Sequence, residues 1–251
     1  MTEEAQRKPK RLHPAGIILW GMRILALFRV PRRMIEAHFA LNALAWKAHL
    51  QKLGQIPFIE DQNAMSDFCY GRERRWLTGK LLGGRNLCAK ENACEVIAVY
   101  NALLSLSDGK ETPDFAMLLR HFERSGISLW GYFGTSIHAV VRYFQASPYQ
   151  MLHLRGRQIT KEALRKACRD HYTCCIMMAE NKAGDLKEMV HTICISREET
   201  EDGSVCWRAH NDYEGSVRYE SLEDAVFGYH RGQGRALGVL LLSKADVNPI
   251  L

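Results

Sequence analysis

The chain has 251 residues, a formal net charge of +6, and 47% hydrophobic and 25% charged residues, which suits one large domain carrying an extension and is enough to bury a sizeable core. The positive balance is confined to residues 1–33, where eight basic side chains face two acidic ones; the remainder is neutral, which argues against a nucleic-acid-binding body. Eight cysteines without a CxxC pair, in a chain too long for a small disulfide scaffold, point to a reducing, cytoplasmic setting and give no support for a zinc site.

Residues 15–28, "AGIILWGMRILALF", are apolar with basic flanks. The run is too short to span a bilayer and Arg23 interrupts it. It reads as a helix packed on the domain, with contact between residues 15–33 and an anionic membrane surface as the alternative. After Pro31, "RMIEAHFALNALAWKAHLQKLG" has the apolar spacing of a long helix that stops at Gly54. Residues 55–86 read as loop with short elements. "NACEVIAVYNALLSL" is apolar at Val96, Ile97, Tyr100, Leu103 and Leu104, a helical pattern with Asn92 as its cap. "TPDFAMLLRHFERSG" predicts a second helix with Thr112 as N-cap and Pro113 at the first position. A third begins at about Ser136 and a fourth at Thr160.

From residue 171 the period changes to two. "HYTCCIMMAE", "MVHTICISRE" and "SVCWRAHND" predict three strands, with "ETEDGS" as the hairpin turn between the last two. "SVRYE" is a short strand, "SLEDAVFGYH" a helix capped by Ser221, and "RALGVLLLSK" a final strand. Helices first and an antiparallel sheet second make an α+β fold. The expected organisation is a basic apolar extension (1–33), a helical lead-in (34–83) and the main domain (84–251).

A cysteine nucleophile needs a favoured thiolate, a base in reach and a group to orient the base. Cys94 stands at a helix start, where unpaired N–H groups stabilise negative charge. Cys88 is the rival, but no apolar helical run follows it directly. His191 opens its strand and is the expected base. The next strand ends "RAHNDY" and in a hairpin returns beside the start of the histidine strand. That puts Asn211, or alternatively Asp212, in position to fix the imidazole tautomer; His210 belongs on the opposite face from Asn211.

Helix-start Cys, strand-start His and next-strand-end Asn or Asp resemble the order of the papain-like cysteine peptidase superfamily. The chain is most similar to the bacterial branch that includes bacteriocin-leader-processing peptidase domains. The resemblance rests on "ENACEVIAVYNALL", "HTICIS" and "CWRAHNDY", with "GYFGTSIHAVVRYFQ" as the glycine turn and helix before the sheet, and spans roughly residues 84–243. It implies Cys94 as nucleophile, His191 as general base and acid, Asn211 as orienting residue, a peptide or protein substrate, and no cofactor. Those peptidases carry a glutamine shortly before the cysteine to complete the oxyanion hole. Here the stretch reads "GGRNLCAKENAC", which leaves Asn86 or Asn92 for that role, and Glu95 replaces the glycine that many relatives carry after the cysteine. The expectation is a thiol-dependent peptidase or acyl transferase; the alternative is an inactive member that binds peptide or serves as an accessory protein at a membrane surface.

Overall fold

A computed structural model describes residues 21, 24–25, 27–53, 58–72, 88–185, 190–212 and 215–245. Among them are seven α-helices: α1 (Arg32–Leu53), α2 (Ala89–Asn92), α3 (Cys94–Leu106), α4 (Phe115–Ser125), α5 (Ile137–Gln145), α6 (Lys161–Arg169) and α7 (Leu222–Phe227). The strands are β1 (Tyr149–Arg155), β2 (Cys174–Glu180), β3 (Val190–Glu199), β4 (Val205–Asp212), β5 (Gly215–Tyr219) and β6 (Arg235–Lys244). They form one six-stranded antiparallel sheet in the order β1-β6-β2-β3-β4-β5. The fold is α+β, with helices first and the sheet second.

The core has two layers, one on each sheet face. Val96, Ile97 and Tyr100 of α3, with Phe115, Leu119 and Phe122 of α4, pack with Cys174, Ile176, Met178 and Cys194 on one face. Leu164 of α6 and Leu222 and Val226 of α7 pack with Cys175, Met177, Ala179, Ile193 and Ile195 on the other. Alternation along β2 and β3 assigns each residue to one layer, and both strands are buried at most positions because both faces are covered. α1 is strapped to α4: Arg120 and Arg124 pair with Glu36, Arg120 lies over the Phe39 ring at 4.5 Å, and His38 Nδ1 donates to the buried Glu123 at 2.8 Å. No helix among the described residues is long and apolar enough to cross a membrane.

Three local features differ from the pattern in the sequence. β1 carries little strand signal, since "YQMLHLR" has no β-branched residue; it forms because its whole length pairs with β6. α4 is capped by Asp114, which accepts from the Met117 N–H at 3.0 Å, instead of by Thr112. The helix expected to start under an Asn92 cap is broken at Ala93, which has φ −108 and ψ 22 and caps α3 without a side-chain bond. The Ser221 cap is as read from the sequence, and the helices expected to begin at about Ser136 and at Thr160 do so, with those residues as their N-caps. Most of 15–28 and the expected stop at Gly54 lie outside the described residues.

Candidate active site

Cys94 is the first residue of the 13-residue helix α3. The chain arrives through α2, whose last residue, Asn92, is buried. Asn92 Nδ2 donates to the Gly131 carbonyl at 2.7 Å and the Tyr70 carbonyl at 3.3 Å, so both amide hydrogens are used on the backbone. Its Oδ1 is buried without a hydrogen-bond partner among the described residues. This closeness requires glycine. Gly131 has φ +100, and a Cβ there would stand 2.9 Å from Gly71 Cα and 3.0 Å from Asn92 Nδ2. With its N–H groups engaged, Asn92 does not offer them to a bound oxyanion. The other expected oxyanion residue, Asn86, lies outside the described residues.

Cys94 is 8% exposed, and its thiol donates to Glu95 Oε2 at 3.4 Å. The backbone and hydroxyl of Thr192 also hydrogen-bond the sulfur. Burial and then the Glu95 carboxyl push the thiol well above its ordinary range, while the Thr192 bonds pull the other way. Glu95 is itself buried; Oε2 accepts from the Thr135 N–H at 3.2 Å and Oε1 from the Thr192 hydroxyl at 3.5 Å. Burial raises this carboxyl to about 7, against partial relief from those bonds. Tyr70 extends the network through its hydroxyl to Thr135. The site is acidic where thiolate chemistry needs positive charge.

Strand parity decides what faces Cys94. Thr192 is opposed to Met178, a member of the core layer that contains α3. His191 is opposed to Ala179, in the layer on the other face. The sequence pairs Cys94 with His191; the structure instead turns Thr192 toward α3 and His191 away from it. The His191 ring is buried, and its Nε2 lies 2.7 Å from the Asn211 carbonyl. A carbonyl only accepts, so Nε2 carries the proton. Burial lowers the His191 pKa, partly offset by this bond.

The structure therefore brings His191 and Asn211 together, but through the Asn211 backbone. The Asn211 side chain is engaged by Gln62: its Oδ1 accepts from the Gln62 N–H at 2.8 Å, and its Nδ2 lies 3.3 Å from Gln62 Oε1. Asn211 has φ +62, and the β4–β5 register shifts between Ala209 and Asp212. An extra residue at this bulge re-aims the strand end, and Asp212, buried, follows it opposite Gly215.

One constellation is not visible from motif spacing. His210, on the α3 side of the sheet, has Nε2 2.7 Å from Ser196 Oγ and Nδ1 2.9 Å from Glu60 Oε1, with the Phe58 ring stacked on it at 4.1 Å. Burial works to raise Glu60, but the bond and charge of His210 and the charge of Arg208 hold it below the usual carboxylate value. Nδ1 therefore donates to a carboxylate, and Nε2 and the Ser196 hydroxyl share the second bond. The order is that of a hydrolytic serine triad. Ser196, however, is 2% exposed and Phe58 covers the ring, so the array is closed to substrate. Among the described residues no group of three or more His, Cys, Asp or Glu is arranged to hold a metal ion. Compared with known proteins, the chain matches no family model and no curated sequence.

Proposed function

We propose that this chain is a papain-like α+β protein whose thiol is withheld from catalysis, and that it acts as a peptide-binding module instead of a peptidase. The reading rests on one observation: Cys94 Sγ donates to Glu95 and lies against Thr192, while His191 faces the other sheet surface and is bonded to the Asn211 carbonyl. A nucleophilic cysteine needs a neighbouring base or cation to hold it as thiolate; here a buried acid favours the thiol. The test is reaction of the full chain with a thiol-directed peptidyl electrophile. Cys94 should react no faster at pH 7 than an ordinary cysteine, with a rate that keeps climbing through alkaline pH. Selective, stoichiometric capture of Cys94 at neutral pH, lost in His191→Ala, would establish the thiol peptidase instead. That second reading is favoured by the helix-start position of Cys94 and by its contact with the residue next to His191.

The N-terminal segment bears on where such a module acts. Leu27 is 75% exposed, Ile24 and Phe28 are exposed too, and the exposed Arg32 and Arg33 follow. Apolar side chains beside guanidinium groups suit an anionic membrane surface. The chain should co-sediment with phosphatidylserine-containing vesicles at low salt. Deleting residues 1–33 should weaken this; undiminished binding after deletion removes the membrane role of that segment.

A further inference from the structure

Cys69 and Cys88 face each other as an isolated antiparallel pair, and both are partly exposed free thiols. The pair belongs to the narrow, non-hydrogen-bonded type. The Ala89 N–H donates to the Phe68 carbonyl at 2.9 Å, one residue outside the pair. The backbone of Cys69 is bonded to Asn42 of α1 instead, through N–H to Oδ1 at 2.7 Å and carbonyl to Nδ2 at 2.9 Å. In such pairs both side chains leave on the same side, with Cα atoms about 4.5 Å apart. A disulfide spans Cα separations of roughly 4.4–6.8 Å. The pair thus sits at the short end of the range, where the bond forms but is readily reduced. The cysteines also sense one another: Cys69 is raised by burial, then by Glu123, then by Cys88.

We propose that Cys69 and Cys88 are a reversible redox site, forming a disulfide that fixes the base of the Cys94 site. Cys88 is the N-cap residue of α2, and the residue after Cys69 is Tyr70, whose carbonyl receives the Asn92 amide. The bond therefore ties together the two chain segments that hold Asn92 just before Cys94. The oxidant is a small-molecule disulfide such as glutathione disulfide. One cysteine thiolate attacks it and releases a glutathione thiolate. The second cysteine thiolate then displaces the other glutathione from the mixed disulfide. Two electrons reduce one glutathione disulfide to two glutathiones, which take up the two thiol protons. Excess glutathione reverses the steps. The other close pair, Cys174 and Cys194 with sulfurs 3.6 Å apart, is buried in the sheet and closed to glutathione.

The site is independent of whether Cys94 is catalytic, and its test does not read activity. The reduced full chain is equilibrated in glutathione buffers of graded ratio, quenched in acid, alkylated after unfolding and digested with trypsin without reductant. Arg72, Lys80 and Arg85 lie between the two cysteines, so cleavage separates the peptides unless sulfur joins them. The expected result is a Cys69–Cys88 linked peptide that grows with oxidation and vanishes on reduction, while Cys174 and Cys194 remain alkylated. The melting temperature should rise on oxidation in the wild type and not in Cys88→Ser. Both cysteines alkylated throughout, glutathione adducts that never resolve to the link, or preferential linkage to another cysteine would each overturn the proposal. Because the mapping is done on the wild-type chain, it stands even if Cys88→Ser fails to fold.

Discussion

Two polar clusters stand on the same face of β3 and β4, and they meet burial in opposite ways. Around His210 the charges are paired: Glu60 Oε1 receives the ring and Arg208, and Ser196 and Phe58 close the rest. At Cys94 a buried carboxyl has only dipoles and a thiol for company, and its pKa climbs to about 7. The first cluster is paired and closed; the second holds a proton that pH can remove. A triad-like order of groups therefore marks structure at His210, while the less orderly site at Cys94 retains chemical tension.

Breaking the paired cluster should cost most. His210→Ala would leave the Ser196 hydroxyl and part of the Glu60 carboxylate without partners and remove the ring that Phe58 stacks on. Unpaired buried groups cost about 1–3 kcal/mol each, and more when charged, so a loss of about 4 kcal/mol is expected in urea unfolding. A loss below about 1 kcal/mol would mean that the cluster is not a structural lock.

At the other cluster the signature is a pH slope. Glu95 is raised from 4.5 to about 7, so between these values the folded protein keeps a proton that the unfolded chain has lost. Folded-state stability from this group is therefore complete below about pH 4.5, falls as pH rises toward 7, and is level above. The drop approaches about 3 kcal/mol. Glu95→Gln should flatten this slope and raise relative stability above pH 7. It should also speed alkylation of Cys94, because Glu95 is among the groups that hold the thiol up. An unchanged slope would remove Glu95 as the titrating group.

Asn92→Ala tests the support just before Cys94 on a smaller scale. It takes the donors from the Gly131 and Tyr70 carbonyls, at about 1–2 kcal/mol. If Asn92 instead served a catalytic oxyanion, the variant would lose turnover while keeping its unfolding midpoint.

The sequence exposed the local parts of this arrangement. The helix starts at Ser136 and Thr160 and the Ser221 cap are readable because a helix start is a matter of two or three residues. β6 is readable as an apolar run between polar ends. The site was less legible because its partners are distant: Glu60 reaches His210 across 150 positions, and Asn92 meets Gly131 only because two glycines let the backbones approach. The face of His191 was hidden for another reason. "HTICIS" is buried on both alternating sets, since helices cover both sheet faces. With no solvent-facing side, the pattern shows a strand but not which residues look at α3.

That parity yields the smallest expected effect and the sharpest contrast between the clusters. His191→Ala empties a buried site on the α6–α7 side and removes the bond to the Asn211 carbonyl. The variant should lose about 1–2 kcal/mol of stability, yet alkylate Cys94 at the wild-type rate at every pH, because Thr192 and Glu95 still surround the sulfur. A Cys94 rate that falls in His191→Ala but not in Thr192→Val would mean that the strand turns over in solution and brings the imidazole to the thiol. Both rates unchanged would leave the sulfur governed by its acidic neighbour alone, as Glu95→Gln tests from the other side.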